Sequence, residues 1–262
     1  ANATLSGNLD NPQINGDAAL VGGTLNQTPV QNAQASFNYD NARLNFNSQI
    51  LATGTEPIQI QGSVPYQLPF SSVTPDSDRI ALDLNVQNEG LALLNLLTRQ
   101  QVQWVSGQGQ VQLQVRGTLE QPVATGLATV DNATLRAQVL QDEPLTGVTG
   151  RIRFDFDRVQ VESLQGQYSQ GQVAAEGVIP ISRPIPDLAN PLTVTLNQLA
   201  LNLRGLYQGQ ANGSVVIRGT ALNPETPPEL GGQVELTNGR VFLSAAGSAP
   251  TAGATAGETG GR

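Results

Sequence analysis

Apolar and polar residues alternate along most of this chain. Residues 80–86 place Ile, Leu, Leu and Val between Ala, Asp and Asn, and residues 110–115 place Val, Leu and Val between glutamines. The same period of two returns at 58–61 and 192–196. Successive side chains of a β-strand point to opposite faces. The pattern therefore predicts an all-β chain whose strands each carry one aliphatic face and one face of Gln, Asn and Thr.

Three copies of one motif divide the chain. The pattern Gly-x-Leu-x-x-Pro-x-x-x-Gly-x-Ala occupies residues 7–18 and returns at 117–128, and a third, longer copy opens at Gly219 and contains Pro224. Glycine allows backbone angles that end or kink a strand, and proline fits a turn because its missing N–H is not needed there. We therefore expect strand–turn–strand repeat units at about 7–116, 117–218 and 219–243.

Turns and longer loops separate the predicted strands. Asp40-Asn41 and Asp157-Arg158 each lie between two alternating runs, so a tight hairpin turn is predicted at both places. Residues 65–78 and 183–191 are rich in Pro and are predicted to be loops. With these turns the chain is expected to form about twenty strands, which at ~4.8 Å each would make a body about 95 Å long.

One segment departs from the strand pattern. Leu91, Leu94 and Leu97 share one face of a helix, and Asn88 is placed to cap it, so a short helix is predicted over 89–98. At the other end of the chain, residues 244–262 contain only Ala, Gly, Thr, Ser, Pro, Glu and Arg. Such a composition cannot bury a core, so this tail is predicted to be disordered.

The aliphatic faces need a cover, since a large apolar surface is unfavourable in water. Two sheets could face each other in a sandwich, or one sheet could close into a barrel or coil into a solenoid. Alternatively, the sheet could form an open trough whose lining is covered by a ligand with long hydrocarbon parts. The alternation alone favours the closed solutions. The long repeat interval argues against a simple β-helix.

Composition narrows the possible partners. The 262 residues contain no His, Cys, Met or Lys, and the formal net charge is −8. A chain without a basic surface is not expected to bind nucleic acid or to dock electrostatically on anionic lipid headgroups. No apolar run approaches the ~20 residues of a membrane-spanning helix. The chain has neither an initiator Met nor a signal-peptide pattern, so it is expected to be a piece of a longer protein.

The sequence contains few residues that could catalyse a reaction. Without His, Cys or Lys the commonest bases, nucleophiles and metal ligands are missing, so we expect no enzyme activity, no catalytic residue, no cofactor and no metal site. Two carboxylate pairs, Asp76 with Asp78 and Asp155 with Asp157, could join a Ca²⁺ site or a glycosidase pair. Neither pair has the further ligands such sites need, so solvated surface charges are the favoured interpretation.

Four polar positions have a functional and a plainer interpretation. Asn2 and Asn132 begin glycosylation sequons, which we interpret as chance matches. Arg116 and Arg218 each precede a repeat glycine. Exposed charges at strand ends are the favoured interpretation of these two arginines, with contact to a lipid headgroup as the alternative.

The repeats carry a resemblance to a known family. The run Gly-Thr-Leu-x-x-Pro-x-x-x-Gly at 117–126, its copies at Gly7 and Gly219, and the Gly-Gln-Gly-Gln-Val-Gln-Leu-Gln-Val run before it resemble the repeats of the TamB family. Gly62 and Gly177, each followed three residues later by Pro, fit the same pattern. The resemblance covers roughly residues 1–243. TamB proteins belong to the AsmA-like, bridge-like lipid-transfer proteins.

The resemblance implies a fold, a place and a function. The fold would be an elongated antiparallel sheet curled into an open U with an apolar groove, a β-taco with at most one short helix. The parent protein would be anchored in the inner membrane and would bridge the periplasm or intermembrane space of a double-membraned envelope. The groove would carry the acyl chains of phospholipid between the inner and outer membranes. A role in outer-membrane biogenesis and protein assembly would involve a TamA-like outer-membrane barrel protein as partner.

The strand pattern and the resemblance together assign residues to the groove. A closed structural or adhesive β protein without lipid transport is the alternative for the same residues, and a carbohydrate-active enzyme is disfavoured by the single Trp and scattered Asp. The predicted lipid-lining residues are Phe37, Leu44, Phe46, Ile58, Ile60, Ile80, Leu82, Leu84, Val86, Val111, Leu113, Val115, Phe154, Phe156, Leu192, Val194, Leu196, Val215, Ile217, Val234 and Leu236.

Overall fold

The structure of the chain is a computed structural model. It describes residues 1–25, 28–52, 56–93, 102–137, 140, 143–203, 206–221 and 228–242. The predicted tail at 244–262 and the second half of the predicted helix lie outside the described residues.

The described residues form fourteen strands and one short helix. The strands are β1 (Asn2–Gly7), β2 (Pro12–Leu25), β3 (Thr28–Asp40), β4 (Arg43–Leu51), β5 (Ile58–Pro65), β6 (Ala81–Gln87), β7 (Val102–Gly117), β8 (Pro122–Ala137), β9 (Leu145–Phe156), β10 (Arg158–Tyr168), β11 (Gly171–Pro180), β12 (Leu192–Leu203), β13 (Tyr207–Arg218) and β14 (Glu229–Val241).

All fourteen strands belong to one antiparallel sheet. Each strand pairs with its neighbours in the sequence, so the order runs from β1 to β14 without a crossover. The two outer strands do not pair with each other in the described part of the chain, so the sheet is open. The predicted curled, open antiparallel sheet is therefore confirmed. The sandwich, barrel and solenoid interpretations are wrong, because one unclosed sheet carries every described strand.

The strands are fewer and longer than the sequence suggested. About twenty were expected, whereas the described residues form fourteen, and β7 and β8 each extend over 16 residues. At a spacing of ~4.8 Å, fourteen strands span about 67 Å rather than about 95 Å. In the sequence, each alternating run by itself predicts a separate strand. In the structure, the runs before and after an irregularity often belong to one bent strand.

The repeat motif forms the same turn twice. Gly7 and Gly117 end β1 and β7 with φ of +81° and +94°, and each pairs across the turn with its motif proline. The side chains of Asn8 and Thr118 accept hydrogen bonds from the N–H three residues later, at 2.8 and 3.0 Å. This is the Asx- or ST-type turn that such side chains favour. Six strands, β2 to β7, separate these two turns, and six more, β8 to β13, precede the third motif.

Two hairpin turns lie one residue away from their predicted positions. Asn41 and Ala42, both with positive φ, form the turn between β3 and β4, as in a two-residue type I′ hairpin. Between β9 and β10 the turn residues are Phe156 and Asp157, because Asp155 already pairs with Arg158. Phe156 has a φ of +56° and its side chain is 62 % exposed.

Bulges keep the apolar face continuous where the simple alternation fails. In β12 the pairing with β13 shifts between Leu196 and Leu199, and Gln198 adopts a φ of +50°. In β8 the pairing with β9 shifts between Val130 and Ala133, with Asn132 at a φ of +48°. A bulge adds one residue and bends its strand. Each apolar run can therefore resume on the same face of a long, curved strand.

Within its described part, the predicted helix is of another type than expected. Residues Asn88–Leu93 form a single 3₁₀ segment, and its first residue is Asn88 itself. The Asn88 side-chain oxygen accepts a hydrogen bond from the Gly109 N–H at 3.4 Å. Leu91 is 3 % exposed and joins a buried cluster with Ile58, Val86 and Trp104. Packing of Leu91 against the sheet holds the segment in place.

One loop packs along the ends of several strands and is held there by hydrogen bonds. It connects β5 to β6 and returns to the β1–β2 turn, where the buried Ser71 donates a hydrogen bond from Oγ to the Asp10 carbonyl at 2.6 Å. Arg43 holds the other end of the loop by donating to the carbonyls of Ser77 and Arg79 at 2.7 and 3.0 Å. This first Pro-rich loop therefore lies along the ends of β1 to β4.

Candidate functional site

Cross-strand pairing joins the predicted apolar residues into rows. Ile60 pairs with Leu84, Leu84 with Leu113, and Leu113 with Gly126, which in turn pairs with Phe154. Directly paired residues project from the same face of a sheet. The row therefore extends over β5 to β9 on one face.

The same face continues over the second half of the sheet. Val194 pairs with Ala175 on one side and with Val215 on the other, while Leu192 pairs with Ile217. On the final strand, Val234 pairs with Gly213 and Leu236 with Ala211. No register change moves the apolar residues to the other face in any described pair. We call this surface the apolar face.

The predicted lining residues differ in how accessible they are. Ile58 and Val86 are buried, at 0 % and 6 % exposure, because they pack in the cluster around Leu91 and Trp104. Phe156, Val234 and Leu236 are exposed. The remaining predicted residues are half-buried, namely Phe37, Leu44, Phe46, Ile60, Ile80, Leu82, Leu84, Val111, Leu113, Val115, Phe154, Leu192, Val194, Leu196, Val215 and Ile217. Whether lipid contacts them stays a prediction.

Glycines opposite aromatic rings were missed by the sequence reasoning. A Cβ on Gly16 would lie 2.5 Å from the Phe37 ring, and one on Gly62 would lie 2.7 Å from the Phe46 ring. The rings therefore lie over glycine backbone in the neighbouring strand, an arrangement known to support sheet pairing. A glycine two positions after an aliphatic residue in an alternating run, opposite a Phe, is the signal that could have revealed them.

Part of the apolar face is covered by the chain itself. Trp104, Leu91, Ala133 and Val148 are buried together, and Leu135, Leu145 and Leu164 pack around them. A second cluster of Tyr168, Leu199 and Ala211 lies farther along the sheet. The apolar face thus has self-covered patches with half-buried stretches around them.

An apolar cleft lies at the edge where the second Pro-rich loop meets the sheet. It has a volume of about 610 Å³, and Ile185, Leu188 and Ile217 contribute apolar side chains. Arg218 and Glu229 also border it. A cleft of this size can take part of an acyl chain, and its charged border could meet a polar head.

The opposite face carries the polar residues and their ion pairs. Arg116 contacts Asp83 at 2.7 Å and donates to the carbonyls of Leu82 and Val115. Arg153 contacts Glu162 at 2.8 Å. Asp83 therefore compensates the Arg116 charge within the sheet. This agrees with the interpretation of Arg116 as a charge at a strand end, and it leaves little free positive charge for a lipid headgroup.

Two carboxylates of the candidate Ca²⁺ or glycosidase pairs contact arginine side chains. Asp157 accepts a hydrogen bond from Nε of Arg158 at 2.8 Å, and this contact raises the pKa of the guanidinium above its ordinary value. Asp76 contacts Arg43 at 3.5 Å in the first Pro-rich loop. Among the described residues, no three His, Cys, Asp or Glu lie close enough together to hold a metal ion. Asn132 serves the β8 bulge described above.

Comparison with known proteins identifies a related family. Residues 162–257 match the model of the TamB C-terminal domain. The predicted resemblance to the TamB family is confirmed over these residues. The matched residues include β11 to β14, where apolar rows, bulges and the third repeat motif occur together. The described part of the chain holds no helix long and apolar enough to cross a membrane.

Two curated plant proteins are similar to this chain. Protein SUBSTANDARD STARCH GRAIN 4, chloroplastic, from Oryza sativa subsp. japonica is 24 % identical over 177 residues, which is 67 % of this chain. Protein TIC236, chloroplastic, from Arabidopsis thaliana is 24 % identical over 169 residues, or 64 % of this chain. The matched regions span only 8 % of the length of either relative. No solved structure matches the chain significantly.

Proposed function

We propose that this chain is a segment of an intermembrane bridge protein whose apolar face carries phospholipid acyl chains between the inner and outer membranes. One observation carries the proposal: the apolar face keeps its register across the fourteen described strands, which form a sheet that stays open over the described residues. An open aliphatic surface of this length needs a cover. Acyl chains could enter from the side and supply it.

The parent protein would be placed in the envelope of a double-membraned cell. We place this segment in the periplasm or intermembrane space, with the parent anchored in the inner membrane and a TamA-like barrel protein as its outer-membrane partner. Roles in outer-membrane biogenesis and protein assembly would follow from that position. The match to the TamB C-terminal domain and the chloroplastic relatives support this proposal. We propose no enzyme activity.

A structural role without transport is the second candidate. The buried cluster of Ile58, Val86, Leu91 and Trp104 favours it, since self-covered patches would interrupt a continuous lipid path. Under the transport proposal these patches form one wall, and lipid passes along the half-buried rows on the other side of the face. The two functions therefore differ in whether lipid contacts the row through Leu113.

Site-specific photocrosslinking tests this difference. A photoreactive residue is placed at Leu113, which is half-buried on the apolar face, or at its neighbour Gln112, which is exposed on the polar face. The chain is secreted into the periplasm of a Gram-negative host, irradiated and analysed for phospholipid adducts by mass spectrometry. Adducts at Leu113 and not at Gln112 support transport. Equal labelling at both sites, or none at Leu113, contradicts it.

A further inference from the structure

A polar cleft lies on the face opposite the proposed lipid path. Three concavities of about 340, 490 and 360 Å³ occur over β2 to β7, and all three share Asn47. Gln61 and Asp83 border two of them, and Gln49 also borders two. The concavities therefore form one cleft that runs across the strands. Each volume falls within the ~300–1,000 Å³ of ordinary ligand sites.

The cleft is built from two parallel rows of polar side chains. Direct cross-strand pairing generates the first row as Asp17, Ser36, Asn47, Gln61, Asp83 and Gln114. The second row consists of Gln34, Gln49, Gln59, Asn85 and Gln112. Leu84 and Leu113, which alternate with these residues, project to the apolar face. They can therefore offer only backbone to the cleft.

The chemistry of the rows indicates an uncharged ligand rich in hydroxyl groups. Each Asn or Gln amide can donate and accept hydrogen bonds at once, as a sugar hydroxyl also can. Asp83 is neutralised by Arg116 at 2.7 Å and accepts a hydrogen bond from Gln61 Nε2 at 3.2 Å. Asn85 Oδ1 is buried and has no partner among the described protein groups. Asp17, at the β2 end of the first row, keeps a carboxylate that accepts a hydrogen bond from Asn2 at 3.4 Å. Apart from this carboxylate and the paired Asp83, the two rows offer neutral partners, and they contain no cation for an acidic ligand.

The spacing of the rows indicates the shape of the ligand. Successive side chains in a row come from neighbouring strands, so they repeat every ~4.8 Å across the sheet, which is close to the length of one sugar ring. A polypeptide running the same way would present its like-facing side chains only every ~6.6 Å or more, out of step with the rows. A linear glycan would meet one pair of polar side chains per sugar.

We propose that the polar cleft over β2 to β7 binds a linear neutral glycan, laid across the strands. The cleft has no aromatic side chain for a sugar ring to stack on, because Phe37 and Phe46 project to the apolar face. Binding therefore rests on hydrogen bonds that compete with water, and the dissociation constant is on the order of 1 mM. Such a contact would hold the chain weakly to a polysaccharide without obstructing the other face.

Saturation-transfer NMR on the whole chain tests the proposal. The probes are cellohexaose and chitohexaose as neutral glycans, a hexamer of galacturonic acid as an acidic glycan, and an extended hexapeptide of alternating Gln and Thr. The neutral glycans should give saturable transfer, while the acidic glycan and the peptide should give little. No saturable transfer from either neutral glycan overturns the proposal. Stronger transfer from the peptide than from both neutral glycans also overturns it, in favour of a peptide site.

Matched amide deletions locate the site. Asn47→Ala and Gln112→Ala each remove one exposed amide from the cleft, and each should weaken binding about three- to tenfold. Gln165→Ala and Gln172→Ala remove exposed amides from the same face on β10 and β11, outside the cleft, and should leave binding unchanged. Unchanged circular dichroism checks that the variants fold. Equal weakening by both pairs would overturn the assignment of the cleft.

Discussion

At the scale of single residues, glycine positions decide where the backbone can turn and where strands can approach. Gly117 has a φ of +94°, and a Cβ at this position would collide with the Gln121 carbonyl oxygen. Gly22 also has a positive φ, +64°, but a Cβ there would meet nothing within 4 Å. The two glycines therefore separate the cost of backbone angle from the cost of crowding.

Replacing each glycine by alanine should measure these two costs. Gly22→Ala should lower the free energy of unfolding by about 1–2 kcal/mol, the usual cost of a left-handed alanine. Gly117→Ala should lower it by about 2–4 kcal/mol, because the turn must also move its carbonyl away from the new methyl group. Urea denaturation followed by circular dichroism checks both variants. Equal losses would mean that the repeat turn tolerates a side chain and that its glycine serves only the backbone angle.

Much of the apolar face could be predicted from residues alone. The period of two is enough to place Leu84 and Leu113 on one face and Gln112 on the other, because side chains of a strand must alternate. The period fails at Asn132 and Gln198, where bulges shift it by one residue. An Asn or Gln in an exposed strand looks the same in sequence whether or not it forms a bulge. The bending of the strands in the folded sheet therefore determines where the bulges lie, and the local sequence pattern does not show these positions.

At the scale of elements, the first Pro-rich loop acts as a fastener along one edge of the sheet. Arg43 makes its contacts through a planar guanidinium that reaches the Ser77 and Arg79 carbonyls and Ser63 Oγ at once. Its side chain is only 21 % exposed. A lysine would keep the charge but could not reproduce the fork of donors. Proline content predicted a loop here, but not this fastening, since the partners lie on distant elements.

Arg43→Lys should loosen the loop and leave the strands intact. Hydrogen exchange of the Val73 and Ile80 amides, which are bonded to the Asp10 and Gly117 carbonyls, should become about tenfold faster. That factor corresponds to a loss of about 1.4 kcal/mol in local stability. Exchange within β4 should change little.

Arg153→Lys is the control for this prediction, because Arg153 pairs with Glu162 on the surface of the adjacent strand. A surface pair of this kind contributes about 0–1 kcal/mol. The control should leave loop exchange unchanged. If Arg43→Lys behaves like the control, the loop is held mainly by the Ser71 contact with Asp10 rather than by the arginine.

At the scale of the whole molecule, the open sheet allows a substitution to affect lipid binding without affecting folding. In a closed core the same substitution would affect both. In a closed core, a charge placed among the aliphatic residues would be buried without a partner and would cost several kcal/mol, enough to unfold a typical domain. In an open sheet, water reaches a half-buried position, so a short charged side chain stays partly hydrated and a long one can turn its head to the solvent. Folding and lipid binding can therefore be tested by the same substitution.

The open sheet and the match to the TamB C-terminal domain support different parts of the proposed function. The single sheet accounts for the exposed aliphatic area, and the match over residues 162–257 supports the bridging function. The repeat motifs in the sequence predict the sheet and the family resemblance, because they mark the positions at which the same turn recurs. The self-covered cluster around Leu91 and Trp104 does not follow from the sequence pattern, which assigns two of its members, Ile58 and Val86, to the groove lining. Lateral packing of a short helix is a tertiary event that periodicity does not encode.

Leu113→Arg and Val194→Asp should abolish lipid binding while the chain stays folded. Both residues are half-buried in the apolar rows, so each new charge should lower the free energy of unfolding by only about 1–3 kcal/mol. Leu113→Ala should bind lipid nearly as well as the parent chain, because it removes volume without adding charge. Gln112→Arg, on the polar face, should have no effect. Thermal unfolding and the phospholipid recovered with the purified chain are measured for all four variants.

The combination of these two measurements decides between transport and architecture. A desolvated charge in the lipid path should stop acyl chains from sliding past it. Folded variants that carry no lipid therefore support the conduit. Variants that unfold would instead indicate a core closed by further packing. Folded variants that carry as much lipid as the parent chain would leave the apolar face without a role in transport, and the sheet would then be a scaffold.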